Sequence, residues 1–210
     1  MSVWLFIAAT AAAEMLHPVK AEPKGSPADW VRATDLPKID EQVGVTTFDL
    51  TIDETGHASN CVIVVTSGSN QLDAAVCAAV MKRARFRPAK DGEGTPIPSV
   101  YRDRVVWRPY GSGYNRWTKK PDIVVSTPRA STDVKRVAEV IVMIDNTGEV
   151  NKCFVADSIR DAALDELACA AARNPKISTP VTDSEGALHQ GIRSFYVGFQ
   201  PAQTTTIEIR

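Results

Sequence analysis

The four cysteines of this chain are Cys61, Cys77, Cys153 and Cys169, and both pairs are spaced by 16 residues. The second pair lies 92 residues beyond the first. The same offset, applied without a gap, superposes Ile52-Asp53 on Ile144-Asp145, Thr55-Gly56 on Thr147-Gly148 and Leu72-Asp73 on Leu164-Asp165. It also matches Ala78-Ala79 with Ala170-Ala171, Pro88 with Pro180, Asp91 with Asp183, Glu93-Gly94 with Glu185-Gly186, and Val105 with Val197. Self-similarity at a fixed period is the signature of a duplicated unit. The copies span residues 41–108 and 133–200, joined by a connector, residues 109–132. Whatever one copy folds into, the other is expected to fold into as well.

Each copy reads as a small α+β unit in the order strand, strand, helix, strand. Phe48, Leu50 and Ile52 alternate with Thr47, Asp49 and Thr51, the period of a half-buried strand, and Val140, Val142 and Ile144 stand at the equivalent places. A turn follows at residues 53–56 and again at 145–148. Each ends in a Gly that can take the positive φ such a loop requires. The returning strand carries Cys61, Ile63 and Val65 on one face. Residues 72–83 then read as a helix with an apolar stripe of Leu72, Ala75, Val76, Ala79 and Val80, capped by Ser69. A last strand at residues 100–107 closes the unit. The expected architecture is two tandem β-β-α-β domains, each a three-stranded antiparallel-type sheet under one helix.

The cysteines allow three readings. A zinc site would show close ligand pairs such as CxxC, and a redox catalyst would need an activated thiolate; neither pattern is present. An even count with repeated spacing fits structural disulfides, Cys61–Cys77 and Cys153–Cys169, each stapling strand to helix within one copy. The rest of the chain offers no chemistry. It lacks nucleophile-elbow, metalloprotease, phosphate-loop and dinucleotide motifs, so no catalytic residue, cofactor or metal is expected. With 24 Lys and Arg against 25 Asp and Glu, a net charge of −1 gives no support to nucleic-acid binding. A denser basic stretch, Arg83, Arg85, Arg87 and Lys90, is interrupted by Asp91 and Glu93 and reads as a solvated face.

Near the N-terminus, residues 3–13 form an apolar run too short to span a bilayer, which takes about 20 residues. Small residues follow it at 11–13 and again at Ala21. The reading is a cleaved leader, residues 1–21, and export to a disulfide-permissive compartment. Membrane contact is expected only if that segment is retained. A crossover helix should return the third strand beside the first, leaving the second and third strands as edges. The third strand, with Val100, Tyr101, Arg102, Asp103, Arg104 and Val105, is then a candidate edge for adding a partner's strand.

The turn Asp53-Glu54-Thr55-Gly56, the run Ser67-Gly68-Ser69 with Leu72-Asp73-Ala74-Ala75, and Arg85-Phe86-Arg87-Pro88-Ala89 come in a telling order. Over residues 44–107 the first copy resembles the C-terminal domain of TonB-type energy transducers. Gly56, Leu72, Asp73, Arg85, Phe86 and Pro88 carry the motif. The second copy keeps Asp145, Gly148, Leu164-Asp165 and Pro180, but has Ile177-Ser178 in place of Arg85-Phe86, and so resembles a degenerate member. The resemblance implies a periplasmic module of a Gram-negative envelope that binds other envelope proteins, among them outer-membrane receptors, by strand addition. A full transducer would also have a membrane anchor and a long Pro-rich spacer. This sequence shows no such spacer, and an anchored transducer is the alternative expectation.

Overall fold

The computed structural model describes residues 17–35, 37, 44–107, 121–130, 137–174, 180–183 and 185–209. The apolar run at 3–13, most of the connector and Ile177-Ser178 lie outside the described residues. The first unit consists of β1 (Gly44–Ile52), β2 (Ala58–Val65), α1 (Asn70–Arg83) and β3 (Ser99–Trp107). After β4 (Ile123–Thr127) comes the second: β5 (Val137–Ile144), β6 (Val150–Asp157), α2 (Ala162–Ala172) and β7 (Gly191–Pro201). A short β8 (Thr206–Ile209) ends the described chain.

Local chemistry starts each element. Ser69 caps α1, its Oγ accepting from the Leu72 N–H at 3.4 Å, and the Asp161 carboxylate caps α2 by accepting from Ala163 and Leu164. At the first turn the Asp53 carboxylate accepts from the Thr55 N–H, the Thr55 hydroxyl and the His57 N–H. Asp145 repeats the pattern with Thr147 and Glu149. Gly56 and Gly148 close these turns at φ +87° and +88°. Cys61 is joined to Cys77 and Cys153 to Cys169, with Cα atoms 5.7 and 5.8 Å apart, tying a strand to the helix above it.

The expectation of two separate three-stranded sheets is corrected by the pairing. The strands form one eight-stranded sheet, with β6-β5-β7-β3-β1-β2 in order and β4 set against β7 and β8. β7 runs antiparallel to β5 along most of its length. On its other side it pairs parallel with β3 at Ile192–Arg193 against Ser99–Val100, and parallel with β4 further along. The third strand therefore begins inside the sheet instead of forming a free edge. Joining the units satisfies backbone groups that two isolated sheets would leave open at that point.

The two helices cover opposite faces. Val140, Val142 and Ile144 of β5 share a core with Leu164, Ala168 and Ala171 of α2. The intervening Ile141 and Met143 share one with Phe48, Leu50 and Ile52 of β1 and with Leu72 and Val76 of α1. Successive residues of a strand point to opposite sides, so α1 and α2 lie on different sides of the sheet. Parallel pairing of the two closing strands, with the helices reversed, is what a half-turn about an axis along the strands produces.

A shared sheet implies shared cooperativity. Reducing the first staple by Cys77→Ala, with Cys61→Ala to avoid a free thiol, should cost about 3 kcal/mol on the chain-entropy model. Calorimetry should still show one transition for the whole chain, moved to lower temperature. Two resolved transitions, with only the first displaced, would mean that the units fold independently.

Candidate partner-binding edges and the charged seam

Most of the motif residues prove to be architectural. A Cβ on Gly56 would collide with the Phe86 carbonyl oxygen, and the Gly56 carbonyl accepts from the Phe86 N–H at 2.8 Å. The glycine thus allows the turn to lie against the chain leaving α1. Phe86 is fully buried, its ring 5.3 Å from Trp30 and 5.0 Å from Tyr101. Leu72 is in the core, and buried Asp73 accepts from the Thr46 and Thr66 hydroxyls at 2.7 and 2.6 Å and from the Ser67 N–H at 3.0 Å. Burial raises the Asp73 pKa, but these donors outweigh it and hold the carboxylate below its usual range. Pro88 is half-buried; Arg85 is exposed and bonds the Ala84 carbonyl. In the basic stretch, Arg83 makes a two-pronged pair with Asp35 at 2.6 and 2.7 Å and also bonds the Trp30 carbonyl. That pairing, with a backbone bond from Arg32, lowers the Asp35 pKa to about 2.

The candidate edge strand β3 is deeply engaged. Val100 is buried and opposite Arg193 of β7; the Tyr101 ring packs on Trp30 and Phe86. Arg102 holds Asp49 with bonds of 2.7 and 3.0 Å and lies 3.8 Å from Asp122. Asp103 accepts from the Arg104 N–H at 2.8 Å and from the Tyr101 hydroxyl, and burial pushes its pKa up. Val105 is half-buried against the first core. Beyond Val100 no described strand pairs with the side of β3 that faces away from β1.

The seam where β3 meets β7 is a charge cluster that sequence reasoning missed. Arg193, 4% exposed, donates to Asp49, 7% exposed, which also receives Arg102. One carboxylate of the first unit is thereby shared between its own arginine and one from the second unit. Burial raises the Asp49 pKa, yet the two guanidinium groups overcome it and hold the carboxylate below its ordinary value. Asp122 stands beside them, accepting from the Tyr196 N–H at 2.9 Å, with its pKa pushed up by burial.

The second strand is an outer edge of the sheet, as expected, but its uncharged, exposed character was missed from the sequence. Among the described strands β2 pairs only with β1, and no charged residue occurs between Ala58 and Val65. Val62, Val64 and Val65 are 51%, 42% and 45% exposed. The opposite edge, β6, carries Lys152 and Asp157. Charged side chains are a common device for keeping an edge from pairing with another chain; β6 has them and β2 lacks them. The signal was present in the run of apolar residues 62–65, which is too continuous for a strand with one wet face.

Among the described residues no group of three or more His, Cys, Asp or Glu could hold a metal ion, and no helix is long and apolar enough to cross a membrane. His57 and His189 are bonded locally, to the Thr55 hydroxyl and the Asp183 carboxylate. The family model of the Gram-negative bacterial TonB protein C-terminal matches residues 38–109, roughly a third of the chain. Searches of curated proteins and of solved structures found no match.

The seam makes a prediction with a definite sign. Because the folded-state pKa of Asp49 is lowered, its contribution is complete above the unfolded carboxylate value, about pH 4, and is lost as pH falls further. Asp103 and Asp122, with raised values, act in the opposite sense. In urea melts at neutral pH, Asp49→Asn should be less stable than the parent by about 3–5 kcal/mol, the cost of breaking a buried pair. The gap should narrow steadily below about pH 4. A constant gap down to pH 2.5 would show that the Asp49 charge does not stabilise the fold.

Proposed function

We propose that this protein is a non-catalytic binding module of the Gram-negative periplasm, which captures an extended segment of an envelope or outer-membrane protein by strand addition. The family match over residues 38–109 supports the envelope setting and the absence of catalysis. The matching turns, helix caps and disulfides of the two units support a duplication whose second copy has diverged. The observation that carries the binding mode is the uncharged outer edge of β2, eight residues long and held in place by Cys61–Cys77. Unpaired backbone groups on such an edge supply affinity to an incoming strand, and flanking pockets supply specificity.

Two stretches compete for the docking role. The expected one, Tyr101, Arg102, Asp103, Arg104 and Val105 on β3, has lost Val100 to pairing with β7, and the Arg104 N–H is taken by Asp103. No described strand pairs with the outer side of β2, so this reading places the partner there. The test is capture of outer-membrane proteins from a detergent extract by the immobilised protein. Val62→Lys with Val64→Lys should weaken capture at least tenfold, about 1.4 kcal/mol, and leave the thermal melt nearly unchanged, since both side chains face solvent. Undiminished capture would rule out β2. Loss on Arg104→Pro alone would move the docking site back to β3.

A further inference from the structure

We infer that residues 17–23 are a permanent part of the mature protein, a strap lying across both units, so that removal of a leader takes place ahead of His17 and not at Ala21. It would move the leader boundary ahead of the expected residue 21, and it stands whether or not β2 captures a partner.

The strap is built into the fold at five successive points. Val19 exchanges both backbone hydrogen bonds with Lys90, each 2.8 Å long. Glu22–Pro23 pairs as a short antiparallel ladder with Phe86–Arg87, and the Lys24 N–H continues it to the Arg85 carbonyl at 2.7 Å. Ala21 is 5% exposed and belongs to the core that contains Phe48, Ile141 and Met143. Lys20 reaches the second unit, pairing with the Glu139 carboxylate of β5 and lying 5.7 Å from the centre of the Tyr196 ring. His17 sets its ring edge-on to Phe154 of β6, with centroids 5.6 Å apart.

The contacts of His17, Lys20 and Ala21 with the second unit lie on the face that α2 does not cover. There Ile141 and Met143 point away from α2, and Glu139 is 7% exposed. Lys20 offsets the charge of that buried carboxylate. Cutting after Ala21 would remove Lys20 and Ala21, leave Glu139 buried without its cation, and open the core to water. Hydrolysis after the small residues Ala11, Ala12 or Ala13 by an envelope protease would leave every strap contact in place.

The test uses the chain from Met1 to Arg210, expressed with export and recovered from the periplasm, with the N-terminus read by intact mass and sequencing. A chain that begins at or before His17, including one that starts at Met1, supports the inference. A start at Glu22 or later overturns it. As an independent check, a chain beginning at Glu22 should melt roughly 5–10 °C below one beginning at Glu14, on the usual scaling of melting temperature with stability for a chain of this size. Equal melting temperatures would show that the strap contacts contribute nothing and would also overturn it.

Discussion

One buried carboxylate holds the two halves of this molecule in a single register. Asp49 receives Arg102 from the neighbouring strand of its own unit and Arg193 from the other. Taking such charges out of water costs several kcal/mol per ion unless each is met by a partner. Arg193 is therefore tolerated inside the sheet only where Asp49 can reach it, which is where it sits opposite Val100 in the parallel pair. A slip of one residue between β3 and β7 would turn Arg193 to the other face. There it would meet the apolar side chains of Ile141 and Met143 in place of the Asp49 carboxylate. The ion cluster thus selects one register among those that hydrogen bonding alone would permit.

The joint could not be read from the repeat, because it is made where the copies differ. At an offset of 92, Asp49 corresponds to Ile141, Arg102 to Ser194, and Arg193 to Tyr101. Everything the copies share concerns the inside of each unit: the Asp–Thr–Gly turns, the Leu-Asp start of each helix, the cysteines. Those features are local, with partners close in sequence and periodicities that report burial directly, and they were legible. The seam depends on residues 144 apart in the chain (Asp49 and Arg193), and neither strand's alternation reveals its neighbour. The same divergence explains Ile141: where the first copy places a carboxylate, the second places an apolar residue, and the strap covers it.

The joint also changes the closing strand of the first unit. Taken as an isolated unit, the first copy offers its closing strand as an edge. Once β7 pairs with the beginning of that strand, the side chains of Tyr101, Arg102 and Asp103 serve the aromatic core and the seam. The proposed docking edge is β2, whose exposed valines stand in a continuous apolar run at residues 62–65. The proposed N-terminal boundary follows the same pattern. Small residues at Ala21 satisfy a cleavage pattern, while the burial of Ala21 and the pairing of Lys20 with Glu139 are tertiary facts.

The central claim is that Asp49 and Arg193 are coupled across the joint, and a double-mutant cycle measures that coupling directly. Asp49→Ala, Arg193→Ala and the double variant would be compared with the parent by urea unfolding at neutral pH. Urea unfolding should show the double variant at least about 2 kcal/mol more stable than the sum of the single losses implies, because Asp49→Ala alone removes the carboxylate that Arg193 and Arg102 share inside the sheet. Losses that add within about 0.5 kcal/mol would show that the two residues act independently, and would contradict a sheet whose halves are locked together by this pair.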